Sequence, residues 1–196
     1  MFVSLEGIDG SGKSTQAELL AKELGPETLL LREPGGTAAA ERIRELLADP
    51  GTPLDPRAEL LLFCAARADL VERQIRPALA AGRDVVCDRF VDSTVAYQGV
   101  ARGLGVEVVE QLNAVATGGL LPELTLLLRM DPEAAAARLS GQADRFEDEG
   151  LEFQRAVAAA YDEIAAENPR RIAVIDATGP SDTVQAAIVA AIRSER

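Results

Sequence analysis

The sequence has no histidine, no tryptophan and only two cysteines, and its lysines stand at Lys13 and Lys22 alone. Without histidine, a Ser-His-Asp or Cys-His nucleophile pair and any His-ligated metal site are excluded. Chemistry must come from carboxylates, arginine, lysine, hydroxyls or a bound ion. Cys64 and Cys87 fall in neither a C-x-x-C nor a metal-ligand spacing and read as buried, reduced thiols. Positive charge is also short: 20 Lys+Arg against 32 Asp+Glu leave a net charge of −12. That balance argues against a nucleic-acid partner, because such affinity comes from many cations neutralising phosphates. An anionic ligand must therefore be held by a local cluster. No uncharged run approaches the ~18 residues that span a bilayer, and the opening MFVSLEGIDG lacks the basic stretch and long apolar core of a signal peptide. The expectation is a cytoplasmic protein without a membrane partner, folded as a single domain over its 196 residues.

Short apolar runs alternate with longer helical patterns, the rhythm of βαβ units around a parallel sheet. Phe2 to Leu5, Thr28 to Leu31, Asp84 to Cys87, Leu124 to Arg129 and Ile172 to Ile175 read as strands. Ala17, Leu20, Ala21 and Leu24 form one helical stripe, stopped by Gly25 and Pro26. Asp55 and Pro56 open a long helix toward Gly82, with Pro77 expected to kink or shorten its last turn. Further helices are expected over Thr37 to Leu47, Ser93 to Gln98, Val106 to Thr117, Pro132 to Leu139, Leu151 to Glu167 and Ser181 to Ile192. The polar, glycine-flanked stretch Ser140 to Gly150 suits a closing flap or an ordinary loop.

Residues 7–14, GIDGSGKS, match G-x-x-x-x-G-K-[ST] and sit between the first strand and the first helix, where the motif works. Gly7, Gly10 and Gly12 allow positive φ and a close backbone approach, and the following helix adds its positive end. Gly7, Ile8, Asp9, Gly10, Ser11, Gly12, Lys13, Ser14 and Thr15 are thus the expected nucleoside triphosphate site. Lys13 would neutralise β/γ charge and the Ser14 hydroxyl would ligate Mg²⁺. Asp88 follows the apolar run Val85, Val86, Cys87 and so emerges at a strand's carboxyl end, near enough to hold Mg²⁺ through water, while Arg89 offers a planar fork suited to a phosphate monoester. Phe63 and Arg67, four apart on the long helix, share one face. By themselves they fit a core aromatic and a solvated arginine as well as a ligand clamp. Ser93/Tyr97 and Thr94/Gln98 are two i,i+4 pairs with hydroxyl and amide groups suited to a pyrimidine edge, or to a polar first turn with a core tyrosine.

Together, FVSLEGIDGSGKST at 2–15, REPGGT at 32–37, LLFCAARA at 61–68, DRFVDSTVAYQG at 88–99 and DRFE at 144–147 resemble the thymidylate kinases over nearly the whole chain. The resemblance implies a three-layer α/β P-loop NTPase fold, with a five-stranded parallel sheet flanked by helices and a small lid at 140–150. It implies transfer of the γ-phosphate of Mg·ATP to dTMP, and a homodimer joined by helices. It places Arg89 on the dTMP phosphate, Asp9 on the 3′-hydroxyl, Phe63 against the base and Arg67 on a base carbonyl such as thymine O4. Thr94 and Gln98 would face the base, with Ser93 beside them and Tyr97 against the sugar. Arg32 would support the acceptor phosphate or the REPGG loop. An acidic residue often precedes the base-reading arginine in this family; here Ala66 stands there, so whatever fixes the Arg67 rotamer must lie elsewhere. With Gly10 and Ser11 in mid-loop instead of an arginine, the resemblance takes the catalytic arginine from the lid, where Arg138 and Arg145 are available. Arg138 could stack on adenine or reach the phosphates; Arg145 could reach the phosphates or pair with Asp144 or Glu147. A kinase for another nucleoside monophosphate, or a nucleotide-controlled switch, shares the P-loop but leaves the second set of residues with less to do.

Overall fold

The computed structural model describes residues 1–138 and 150–195. Five parallel strands form one sheet in the order β2-β3-β1-β4-β5: β1 Phe2–Glu6, β2 Leu29–Arg32, β3 Val85–Asp88, β4 Leu124–Arg129 and β5 Ile172–Asp176. The five expected strands are all present, each within a residue or so of its expected limits. β1 is central, and all five of its residues are buried, as expected when helices cover both faces of a parallel sheet. Side-chain alternation divides the core: Val3, Leu5, Val86 and Leu126 pack on one face, and Phe2, Val85, Cys87 and Phe90 on the other.

The helices are α1 Lys13–Leu24, α2 Ala38–Ala48, α3 Pro56–Leu70, α4 Arg76–Ala80, α5 Val91–Thr94, α6 Val106–Thr117, α7 Pro132–Ala136, α8 Leu151–Glu167 and α9 Ser181–Glu195. Local chemistry explains several starts. Asp55 caps α3 by accepting from Arg57 N, with Pro56 at the first helical position, and Thr37 and Asp131 cap α2 and α7 in the same way. The long helix runs toward Gly82 as expected, through a π-helical stretch, Val71–Ile75, and then α4 with Pro77 in its first turn. One expectation needs correction. The helix expected over Ser93 to Gln98 runs longer and wider, as α5 followed by π-helical Val95–Ala101. Cys64 and Cys87 are free and buried, as expected. No helix of the described residues is long and apolar enough to cross a membrane.

The registers align strand tips that carry chemistry. Leu5 pairs with Asp88 and Arg32 with Asp88, while Glu6 pairs with Leu127. From β1 the chain runs outward past β3's position to form β2, returns to form β3, then crosses β1 to form β4. The order reverses beside β1, where open α/β sheets leave a crevice at the strands' carboxyl ends.

Candidate active site

A cleft of about 460 Å³ opens at these strand tips, lined by Asp9, Gly10 and Gly12 to Thr15 and by Phe63, Arg67, Thr94, Tyr97 and Gln98. Arg32, Asp88, Arg89, Ser93 and Arg138 also line it. Most residues expected to bind ligand therefore meet at one cavity. Gly7, Ile8 and Ser11 do not line it: Ile8 is buried in the core, and the Ser11 hydroxyl is buried without a partner among the described residues.

The loop between β1 and α1 needs glycine on steric grounds. At Gly7 (φ +141°) a Cβ would lie 2.6 Å from Leu128 O, and at Gly10 (φ +81°) it would collide with Ala135 O. Gly12 caps α1 with φ 93° and no side-chain bond, and the first turn of α1 carries no acidic residue. Its free N–H groups and positive dipole end thus face the cleft, a natural seat for phosphate oxygens. Lys13 is buried, with Nζ donating to Ile8 O at 2.8 Å. Burial, then the Arg89 charge, lowers its pKa to about 8 against the pull of Asp9, Asp88 and Glu6.

Ser14 Oγ donates to Asp88 Oδ2 at 2.5 Å, while Asp88 Oδ1 is buried with no partner among the described residues. A hydroxyl and a half-satisfied carboxylate beside a phosphate seat fit Mg²⁺, which takes one or two protein oxygens and completes its shell with phosphate and water. No group of three or more acidic or thiol side chains among the described residues offers a protein-only metal cage.

Arg89 has φ 70°, uncommon outside glycine. It forms an ion pair with Asp9, donates to Ser93 Oγ at 3.2 Å and Tyr97 OH at 3.3 Å, and lies over the Tyr97 ring. Asp9 Oδ2 accepts from Tyr97 OH (3.1 Å) and from Gln154 Nε2 (3.3 Å), a residue of α8 outside the expected set. Burial alone would raise the Asp9 pKa, but Arg89, Lys13 and these bonds hold it below the usual range. The two groups expected on an acceptor's phosphate and sugar thus hold each other.

Behind them sits Glu6, which no sequence motif singled out. Fully buried at the end of β1, it accepts from Phe90 N (2.7 Å), Ser93 Oγ (2.6 Å) and Tyr161 OH (2.8 Å). Burial and the nearby Asp92 raise its pKa to about 7 against Ser93, Arg89 and Tyr161. A carboxylate ending the apolar run FVSL was the available signal: an acid there is buried and must be engaged.

Arg67 is fully buried, and Glu33 of the 32–37 segment fixes it, replacing the acidic neighbour that Ala66 lacks. Nε and one terminal nitrogen donate to Glu33, that nitrogen also reaches Phe90 O (3.0 Å), and the other donates to Thr94 Oγ1 (3.0 Å) and Asn113 Oδ1 (2.5 Å). Each guanidinium N–H thus has an acceptor in the protein. A base carbonyl would have to share a donor that is already engaged within the protein. Arg32 lies on the cleft rim and pairs with Glu41 at 3.0 Å, whose other oxygen accepts from Gly36 N, so it braces the REPGG loop. Arg138 donates to Ala177 O and Thr178 O beyond β5 at 3.2 and 3.1 Å. Arg145 and lid positions 140–149 lie outside the described residues.

The family model described as Thymidylate kinase matches residues 5–188. The thymidylate kinase of Synechococcus sp. (strain JA-3-3Ab) is 51% identical, the match covering 98% of this chain and 95% of that protein. That of Deinococcus radiodurans is 44% identical, covering 100% and 97%. A crystal structure of thymidylate kinase from Ehrlichia chaffeensis superposes with a TM-score of 0.82 at 34% identity, covering 98% of each chain. With a P-loop and a second polar wall meeting at one cleft, and relatives alike from end to end, this chain belongs to the thymidylate kinase family.

Proposed function

We propose that this chain transfers the γ-phosphate of Mg·ATP to dTMP, giving dTDP and ADP, a step in dTTP synthesis. One observation carries the reading: the phosphate seat of Gly10 and Gly12 to Thr15 and the polar, aromatic wall of Phe63, Thr94, Tyr97 and Gln98 share one cleft with Arg89. A dTMP phosphate oxygen attacks the γ-phosphorus, a new P–O bond forms, and the bond to the β–γ bridging oxygen breaks as ADP leaves. The nucleophile is already an anion near neutral pH, so no histidine is needed.

Catalysis in this scheme is alignment and charge stabilisation. The first turn of α1 and Lys13 hold the donor phosphates. Arg89 exchanges Asp9 for the acceptor phosphate, releasing Asp9 to accept from the 3′-hydroxyl. Phe63 stacks on the base and Tyr97 packs against the sugar. Ser14 and Asp88 would hold Mg²⁺, which supplies neutralisation of phosphate charge. Arg138 and Arg145 are the cations assigned to the phosphates or the adenine. Leu61 on α3 and Val108 and Val115 on α6 are exposed apolar side chains, which supports a homodimer joined by these helices; the cytoplasm is the proposed location.

The test is an acceptor panel: rates of ADP formation with dTMP, dUMP, UMP, CMP and AMP. The highest kcat/KM is expected for dTMP. Preference for AMP or CMP, or ADP formation with none of them, overturns the assignment.

A further inference from the structure

Glu59 belongs to no motif, yet it sits on α3 with its side chain 1% exposed. It accepts from Gln98 Nε2 at 2.9 Å, and Arg102 donates to the same carboxylate from 3.3 and 3.4 Å. We infer that Glu59 is a positioning residue that locks the Gln98 amide with its carbonyl toward the cleft, so that the site selects a pyrimidine bearing a ring N3–H and rejects one whose N3 is a lone pair.

A carboxylate paired with an arginine accepts hydrogen bonds but does not donate them, so the face of the Gln98 amide turned toward Glu59 must be its NH₂. Among the described residues Nε2 makes the side chain's only hydrogen bond, and Gln98 lines the cleft. The group left to meet a ligand is Oε1, an acceptor. Its polar neighbours do not reverse that sign: the Arg67 N–H groups are engaged within the protein, and Thr94 Oγ1 donates to Val91 O at 2.8 Å. Thymine and uracil present N3–H to such an acceptor. Cytosine presents a lone pair and leaves two acceptors facing each other. A buried site built for one hydrogen-bond polarity discriminates strongly against the other, because the mismatched groups stay unpaired.

The inference rests on the pyrimidine monophosphate reading above, and the experiment separates the two. kcat/KM for dTMP and dCMP is measured for the wild type, Glu59→Gln, Arg102→Gln and the double variant Glu59→Gln/Gln98→Glu, with thermal melts of each. A wild type that phosphorylates neither nucleotide refutes the function and leaves the inference without its basis. If the wild type uses dTMP, Glu59→Gln frees the amide to turn, and the dTMP/dCMP ratio is expected to fall at least tenfold. Arg102→Gln keeps the Glu59 side chain but not its counter-charge, so at a pH where the carboxylate stays ionised it should keep the ratio. The double variant places the acceptor-only group on the cleft side and its donor behind it, so the ratio should return. An unchanged ratio in Glu59→Gln, an equal fall in Arg102→Gln, or a double variant no more selective than Glu59→Gln overturns the inference. Should Glu59→Gln not fold, the double variant decides: it preserves the net charge and the donor–acceptor pair, and a loss of selectivity in it refutes the claim.

Discussion

Removing Glu33 should unfold the cavity wall more readily than removing Glu33 and Arg67 together. Their side chains are 4% and 1% exposed. Burial raises the Glu33 pKa and Arg67 pulls it back without offsetting the rise, so the pair organises the wall at little net gain in stability. Glu33→Ala leaves a guanidinium that cannot deprotonate, facing Thr94 Oγ1, Asn113 Oδ1 and Phe90 O without the carboxylate hydrogen-bonded to it. Breaking a buried pair from one side costs about 3–5 kcal/mol. At about 2–4 °C per kcal/mol for a chain of this size, Tm should fall by roughly 6–20 °C. Glu33→Leu/Arg67→Met strands no charge: Phe90 O loses Arg67 but keeps the Ser93 N–H at 3.2 Å, so the loss is at most about 1–3 kcal/mol. Arg67→Met alone strands a carboxylate that can take up a proton, so its deficit should shrink as pH falls. Calorimetric melts of the wild type and these variants at pH 6 and 8 test the chain of reasoning. A double variant that melts below Glu33→Ala, or a Glu33→Ala Tm within about 2 °C of wild type, refutes it.

Three further outcomes are expected. Lys13→Ala, which removes the one lysine in the cleft, should fold normally and lower kcat by roughly 10²–10³-fold, the scale for losing one preorganised charge-stabilising donor; steady-state kinetics beside a melt check it, and near-wild-type turnover refutes the P-loop role. Glu6 has a folded-state pKa of about 7, raised from 4.5, so the native state binds the extra proton, and its contribution is present below pH 4.5 and lost as pH rises to 7. Relative to Glu6→Gln, the wild type should lose roughly 3 kcal/mol across that window, read from urea unfolding at several pH values; a flat or opposite difference contradicts the burial argument. Gly10→Ala places a Cβ against Ala135 O at φ +81°, so it should weaken ATP binding in titration calorimetry and lower Tm, whereas an unchanged affinity would show that the loop can relax.

The parallel sheet, the helix caps at Thr37 and Asp55, and the P-loop could be read along the chain because each depends on neighbours within a few residues: apolar runs of strand length, a side-chain oxygen beside free N–H groups, glycines where the backbone turns. The gathering of Lys13, Asp88, Arg89, Thr94 and Gln98 was foreseen from motif resemblance, and the sheet order that brings β1 beside β3 accounts for it physically. The partners of those residues could not be read the same way. Glu33 lies 34 positions from Arg67, Glu59 lies 39 from Gln98, and Glu6 lies 84 from Phe90 and 155 from Tyr161. Linear spacing carries no signal over such separations. A strand order that sets distant chain segments tip to tip, and a core that excludes water from them, decided which carboxylate each arginine, amide and hydroxyl would find.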